Sequence, residues 1–336
     1  MKNHKSFATI SDVANYAKVG KTSVSRYLNG EQDKLSDALR DKIADAIEHL
    51  DFRPNHSARM LKAGHSKLIG LLLADVTNPY SIDILQGVEH ICRQQGYMLM
   101  VCNTDNETAL QEGYLALLEA HRVDGLIVNT ADMAQTQLNH LKQINCPLVL
   151  VDRIDTSLGF DSVGLDNEAA IEDACQHLKA RHYQSILVVT ESLDVAPRKA
   201  RINAIETFCQ QHSDIAYELV EVSKSNDAHL NAAIGDFMNR HKGCKQAIFT
   251  TNGVATLLAA KAIKSRQLKL GHQIGMISID DPEWVQLFEG GITVMRQPTR
   301  EIGQQACSRL LTRIQGNTEP AQHIQLPAEL IIRQST

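Results

Sequence analysis

No apolar run in the sequence is long enough to cross a bilayer: the longest, such as Leu68–Ala74, fall far short of the ~20 residues a membrane helix needs. Residues 1–30 hold no apolar stretch followed by a small-residue cleavage site, so no secretory signal is expected. The seven cysteines, at 92, 102, 146, 175, 209, 244 and 307, are odd in number, scattered and without a C-x-x-C pair. That spacing fits neither a disulfide framework nor a cysteine zinc site. These absences point to a cytoplasmic protein with reduced thiols, no metal and no membrane partner. Catalytic signatures are lacking too: there is no G-x-S-x-G, no H-E-x-x-H and no G-x-G-x-x-G. Fourteen histidines include no obvious ligand cluster. Asp280-Asp281 pairs two carboxylates, but adjacent side chains point in different directions, so no shared acid–base role is expected. No cofactor is expected, and an enzyme is the weakest functional class.

What is present is ordinary globular material, 336 residues with 43% hydrophobic and 22% charged, enough for two or three domains. The net charge of −5 hides an asymmetry. Residues 1–65 carry 11 Lys and Arg against 8 Asp and Glu, whereas the remainder carries 23 against 31. A small basic segment on a larger acidic body suggests a polyanion-binding module.

Thr9-Ile10-Ser11-Asp12 has capping-box form and opens a helical pattern of Ile10, Val13, Ala14 and Ala17. A second short helix is expected over Lys21–Leu28, burying Val24 and Leu28. A third starts near Ser36, with Leu39, Ile43, Ala46, Ile47 and Leu50 on one face. This is a helix-turn-helix layout. The exposed face of the second helix carries Lys21, Thr22, Ser23, Ser25 and Arg26: polar, basic and acid-free, it suits phosphates and base edges, and equally a solvated surface. Gly20-Lys21-Thr22 mimics the end of a phosphate-binding loop, but position 15, where that motif needs Gly, is Asn15.

Four blocks then follow in order: Ile10-Ser11-Asp12-Val13-Ala14, Val24-Ser25-Arg26-Tyr27-Leu28-Asn29-Gly30, Phe52-Arg53-Pro54-Asn55 and Ala58-Arg59-Met60-Leu61. In order and spacing they resemble the DNA-binding region of the lactose-repressor/galactose-repressor (LacI/GalR) family. The resemblance implies DNA contacts from Thr9, Lys21, Thr22, Ser23, Ser25, Arg26 and Asn29, and from Asn55, Ser57, Ala58 and Leu61 in the segment beyond. Where the family usually reads Ala-Gly-Val-Ser at the turn, this chain has Ala17-Lys18-Val19-Gly20. Lys18 is expected to take the positive φ that Gly tolerates, at about 1 kcal/mol, and Gly20 to leave the second helix without a side-chain cap. Residues 51–65 read as the joint, with Asn55–Lys62 too short to hold a helix alone in water. In the family the matching segment folds on operator DNA against its dimer mate, and a Leu at the position of Leu61 wedges between base steps. Without the family, Leu61 reads as a side chain covering the edge of a core.

From Lys67 on, apolar strands (Leu68–Ala74, Tyr97–Cys102, Gly125–Val128, Leu148–Val151, Ser185–Val189, Ala247–Phe249, Gly275–Ile279) alternate with helices such as Tyr80–Gln95 and Glu168–Arg181. The expected fold is an all-α headpiece followed by two doubly wound parallel α/β lobes, similar to periplasmic sugar-binding proteins. Residues 1–50 form the headpiece, 51–65 the hinge and 66–336 the core. Its lobes are expected at about 66–163 with 295–325 and about 164–294 with 326–336, crossing near Asp161–Asp166, Ile292–Gln297 and Leu326.

Ligands of such sheets bind beyond the carboxyl ends of the strands, where polar residues cluster in this chain. The resemblance implies sugar contacts from Asn78, Tyr80, Asn129, Asp152, Arg201, Asn252, Asp280 and Gln297; each taken alone also reads as a helix cap or turn residue. Arg153, Arg198 and Arg201 offer partners for a carboxylate or phosphate, and Gly253 stands where the family usually has Asp. Trp284 reads either as cover for a sugar face or as an ordinary packed Trp. The stretches around Leu193–Arg201, Thr251–Thr256 and Met295–Thr299 resemble the subgroup answering to ketogluconates and related sugar acids. The expectation is therefore a homodimeric regulator that binds near-palindromic double-stranded operator DNA and is released by a sugar acid. The alternatives are a corepressor-dependent regulator and a solute-binding protein without gene regulation. No heptad pattern follows Glu329–Ile332, so a tetramerising coil is not expected.

Overall fold

The computed structural model describes residues 8–53, 65–129, 140–152, 158–223, 227–288 and 290–336. The chain separates into two units, Met1–Ser66 and Lys67–Thr336. Asn55, Ser57, Ala58, Leu61 and Arg153 lie outside the described residues.

In the first unit, α1 (Ile10–Ala17), α2 (Lys21–Leu28) and α3 (Asp37–His49) enclose Val13, Ala14, Ala17, Val24, Leu35, Ile43, Ala46 and Phe52. The capping box is formed: the Thr9 amide donates to Asp12 Oδ2 at 2.7 Å, and the Asp12 amide donates to Thr9 Oγ1 at 3.3 Å. Ile10, expected inside, stays 39% exposed at the first helical position. Lys18 ends α1 at φ 54°, ψ 44°, and Gly20 precedes α2 with no side-chain cap, as the sequence of the turn predicts.

The second unit holds two six-stranded sheets. The first has the order β11 (His323–Leu326), β5 (Asp161–Leu165), β4 (Leu148–Val151), β3 (Gly125–Asn129), β1 (Leu68–Leu73), β2 (Met98–Asn103), all parallel. The second has the order β12 (Glu329–Ile331), β10 (Thr293–Arg296), β9 (Gly275–Ile279), β8 (Gln246–Thr250), β6 (Ser185–Thr190), β7 (Ala216–Glu221). Here β12 runs antiparallel to β10, a departure from the all-parallel expectation. The cause is its entry: β11 runs to the end of one sheet, and two residues later the same chain direction leads into the other sheet from the facing end. Buried apolar clusters cover both faces of each sheet.

The chain passes between the sheets three times, at Leu165–Asn167, Arg296–Thr299 and Leu326–Glu329. Most helices start where strands end: α4 (Pro79–Gln94), α5 (Thr108–Ala120), α6 (Asn167–Ala180), α7 (Ala196–Gln211), α8 (Asp227–Arg240), α9 (Gly253–Ser265) and α10 (Thr299–Ile314). Glycines let α4 and α10 touch backbone to backbone; a Cβ at Gly87 would collide with the Arg300 carbonyl, and one at Gly303 with that of Ile84.

Candidate effector and DNA-binding sites

On α2, Lys21, Thr22, Arg26 and Asn29 are exposed, and Thr22, Arg26 and Asn29 fall on one face at helical spacing. Ser23 and Ser25 are half-buried beside Val24, and Ser25 Oγ accepts from Asn29 Nδ2 at the long limit of 3.5 Å. Neither Lys21 nor Arg26 forms an ion pair among the described residues, so both charges stay available to phosphates. Thr9 differs: its hydroxyl donates to Asp12 Oδ2 at 2.7 Å, which commits its proton to the helix cap.

In the core, a pocket of about 400 Å³ lies between the carboxyl ends of the two sheets. It gathers Asn78, Tyr80, Asn129, Asp152, Arg198, Arg201, Asn252, Asp280 and Gln297. Asp152 and Asp280 occupy corresponding places in the two sheets, directly after β4 and β9, at φ 74° and 78°. Their amides donate to Val163 and Met295 of the neighbouring strand, each at 3.0 Å, which turns both carboxylates toward the pocket. Asp280 accepts from the Gly253 amide at 2.9 Å and from Gln297 Nε2 at 2.5 Å. Asp281 diverges to pair with Arg296 at 2.6 Å and Arg333 at 2.8 Å.

Arg201 is 4% exposed. Its Nε donates to Asn167 Oδ1 at 2.7 Å and its Nη1 to the Thr251 carbonyl at 2.6 Å, so both orienting partners are neutral. Three buried atoms of lining residues, Tyr80 Oη, Asp152 Oδ1 and Gln297 Oε1, have no hydrogen-bond partner among the described residues. Such atoms are uncommon in folded proteins and mark where a ligand or water would complete the network. Burial, with Asp152 beside it, holds the Tyr80 phenol well above its ordinary value, so it is a hydrogen-bond donor. Burial also pushes the Asp152 carboxyl up, against the pull of Arg201.

Two asparagines serve twice. Asn78 caps α4 by accepting from the Tyr80 amide at 3.1 Å, and Asn252 caps α9 by accepting from the Ala255 amide at 3.1 Å, while both line the pocket. Arg198 is already paired, with Glu191 Oε2 at 2.9 Å, and the same oxygen accepts from Asn252 Nδ2 at 2.6 Å. Asp75, Asp105, Asn106 and Glu191 also line the pocket and were not singled out from sequence. Glu191 directly follows β6, so the rule that found Asn129, Asp152 and Asp280 extends to it. The described lining thus holds the carboxylates Asp75, Asp105, Asp152, Glu191 and Asp280 against two guanidiniums. Trp284 is not part of this lining; it packs on the second lobe's core, edge-on to Phe288, beside a neighbouring apolar groove. Among the described residues no cluster of His, Cys, Asp and Glu could hold a metal, and no helix is long and apolar enough to cross a membrane.

Comparison with known proteins agrees with this geometry. Residues 9–55 match the family described as bacterial regulatory proteins, lacI family, and residues 66–334 that of periplasmic binding proteins and sugar binding domain of LacI family. The HTH-type transcriptional regulator PtxS of Pseudomonas plecoglossicida is 43% identical, covering 98% of this chain and 95% of that protein. The HTH-type transcriptional regulator KdgR of Bacillus subtilis is 35% identical, covering 97% of each. In fold, the chain is similar to the lac repressor dimer bound to operator and the anti-inducer ONPF, with a TM-score of 0.84 at 23% identity over 98% of this chain and 99% of that one. The chain is therefore a DNA-binding transcription regulator, not an enzyme, and belongs to the LacI family.

Proposed function

We propose that the protein is a homodimeric repressor of sugar-acid uptake or catabolism genes, released from a near-palindromic operator when a sugar acid binds between the lobes. Arg201 carries this reading. A buried guanidinium whose hydrogen bonds go only to neutral groups forms no ion pair among the described residues, and its planar fork suits a carboxylate. Arg153, next to Asp152 in the chain, is proposed as a further partner of that carboxylate. Asp152, Asp280, Asn129, Gln297, Asn78, Tyr80 and Asn252 then take the ligand's hydroxyls.

Dimerisation is supported by large apolar side chains left exposed on both lobes: Met98 and Val101 on edge strand β2, Leu117 on α5, and Leu257 and Leu287 in the second lobe. Two headpieces related by a two-fold axis require two inverted half-sites. DNA contacts are assigned to Lys21, Thr22, Arg26 and Asn29, with Leu61 as wedge, and the working compartment is the cytoplasm. The test is calorimetry with 2-ketogluconate and with D-fructose, in which a hydroxymethyl group replaces the carboxylate. Anisotropy on DNA selected by the protein from a random pool gives the second readout. Preferential binding of the acid with release of DNA is expected; tighter DNA binding would make the ligand a corepressor, and equal affinity for both sugars would overturn the sugar-acid reading.

A further inference from the structure

Glu191 stands in the turn after β6, and its contacts are arranged unevenly. The two donors that hold it are fixed by other bonds. Arg198 Nη1 also donates to the Ser192 carbonyl at 3.2 Å, and the Asn252 side chain is locked by its cap to the Ala255 amide. Glu191, by contrast, is held among the described residues only through Oε2, on Arg198 and Asn252. Its side chain remains 19% exposed, which leaves a path toward solvent. Two preset donors with a carboxylate held between them through one oxygen form an anion seat that is already filled. Arg198 lies one turn before Arg201 on α7, and Asn252 follows Thr251, whose carbonyl orients Arg201. The filled seat therefore adjoins Arg201, whose own hydrogen bonds go only to neutral groups.

We propose that Glu191 is a resident anion of the effector site: it occupies Arg198 and Asn252 when no ligand is bound, and a sugar acid binds by placing its carboxylate across Arg201 and Arg198 as Glu191 turns to solvent. Like charges cannot share the seat, because the described lining already holds more carboxylates than guanidiniums. A neutral sugar has nothing to exchange and leaves Glu191 in place. The residue thus sets the affinity for acids without setting that for neutral sugars. This rests on the sugar-acid reading above.

The experiment is calorimetry on the full-length protein and its Glu191→Gln variant with 2-ketogluconate and with D-fructose. Gln keeps the size and an acceptor oxygen but removes the charge. The expected result is acid affinity raised roughly 10- to 100-fold, with D-fructose affinity changed less than about threefold. Glu191→Ala must show the same selectivity, and Arg198→Ala must cost more acid affinity in the Glu191→Gln background than alone. If Glu191 merely orients Arg198, both Glu191 variants will bind the acid no better or worse than the parent, and the proposal falls. If the parent binds the acid but discriminates it from D-fructose no differently from the Glu191 variants, the exchange is likewise refuted. Absence of acid binding in every form would instead remove the sugar-acid reading, and this inference with it.

Discussion

Replacing Arg201 by Ala should do two separable things. Sequence alone suggests a clean loss of ligand response, but the structure adds a stability cost. The substitution strips the partners from Asn167 Oδ1 and from the fully buried Thr251 carbonyl. An acceptor left unpaired in the interior costs about 1–3 kcal/mol, so the core should lose about 2–6 kcal/mol. The lower half of that range is expected, because Asn167 keeps its bond from Nδ2 to the Leu165 carbonyl at 3.2 Å. For the ligand, a charge-assisted hydrogen bond to a carboxylate is worth about 1.5–3 kcal/mol, or roughly 10- to 150-fold in affinity. The preference for 2-ketogluconate over D-fructose should shrink by that factor. Urea unfolding followed by circular dichroism measures the first effect, and calorimetry on the same preparation the second. An unchanged ratio of the two affinities would refute the carboxylate role whatever happens to stability. An unchanged unfolding midpoint would refute the account of Asn167 and Thr251.

Arg26→Ala should weaken specific and non-specific DNA binding alike and lower the salt slope by about 1; a changed base preference in a site-selection experiment would contradict a phosphate contact. Burial alone would raise the carboxyl of Asp161, which is 2% exposed, but hydrogen bonds from Arg313 and the Gln322 amide, with Arg309 as an ion-pair partner at 3.1 Å, hold it below its ordinary value. With the folded value depressed, its stabilisation is present above about pH 4 and lost as pH falls through the folded value. Asp161→Ala should cost about 3–5 kcal/mol at pH 7 by leaving two guanidiniums unmatched, and progressively less as pH falls through the folded value; a loss that stays constant across an acid titration of thermal melts would argue against the ion pairs. Gly87→Ala should push α4 off α10 and cost about 1–3 kcal/mol, and an unshifted melting temperature would show that the helices can part freely. Lys18→Gly should stabilise the headpiece by up to about 1 kcal/mol, read as slower amide exchange in α1 and α2.

The parts of the fold that could be read in the sequence are those written in local chemistry. The limits of α2 follow from Gly20 and the Val24 spacing, and the left-handed turn from a Lys where Gly is usual. Strands buried on both faces announce themselves as apolar runs. β7 does not, because an edge strand written Ala-Tyr-Glu-Leu-Val-Glu mixes exposed and half-buried positions and breaks its apolar run with two glutamates. β5 and β10 were legible only as crossings, since each is short and carries polar residues at an end. The pocket-lining residues that follow strands were legible by position. What was not legible is pairing: nothing in the spacing says that Arg198 meets Glu191 seven residues earlier and not a ligand, or that Asn252 reaches back 61 residues to the same oxygen. Trp284 was ambiguous for the same reason, as an aromatic side chain carries no address until its neighbours are placed.

The three passages between the sheets are each one or two residues long and lie together, because β11 neighbours β5 in one sheet and β12 neighbours β10 in the other. A single strap would let the lobes swing, twist and slide. Three short ones side by side act like the pins of a door and leave one inexpensive coordinate, an angle of opening. Gln297 sits in one of those straps, bonded to Asp280 and with Oε1 turned to the pocket. Close to the pivot, it travels least as the angle changes. Under the proposed function, a ligand held by Gln297 would keep that contact through a change of angle, while groups farther from the pins would gain or lose theirs.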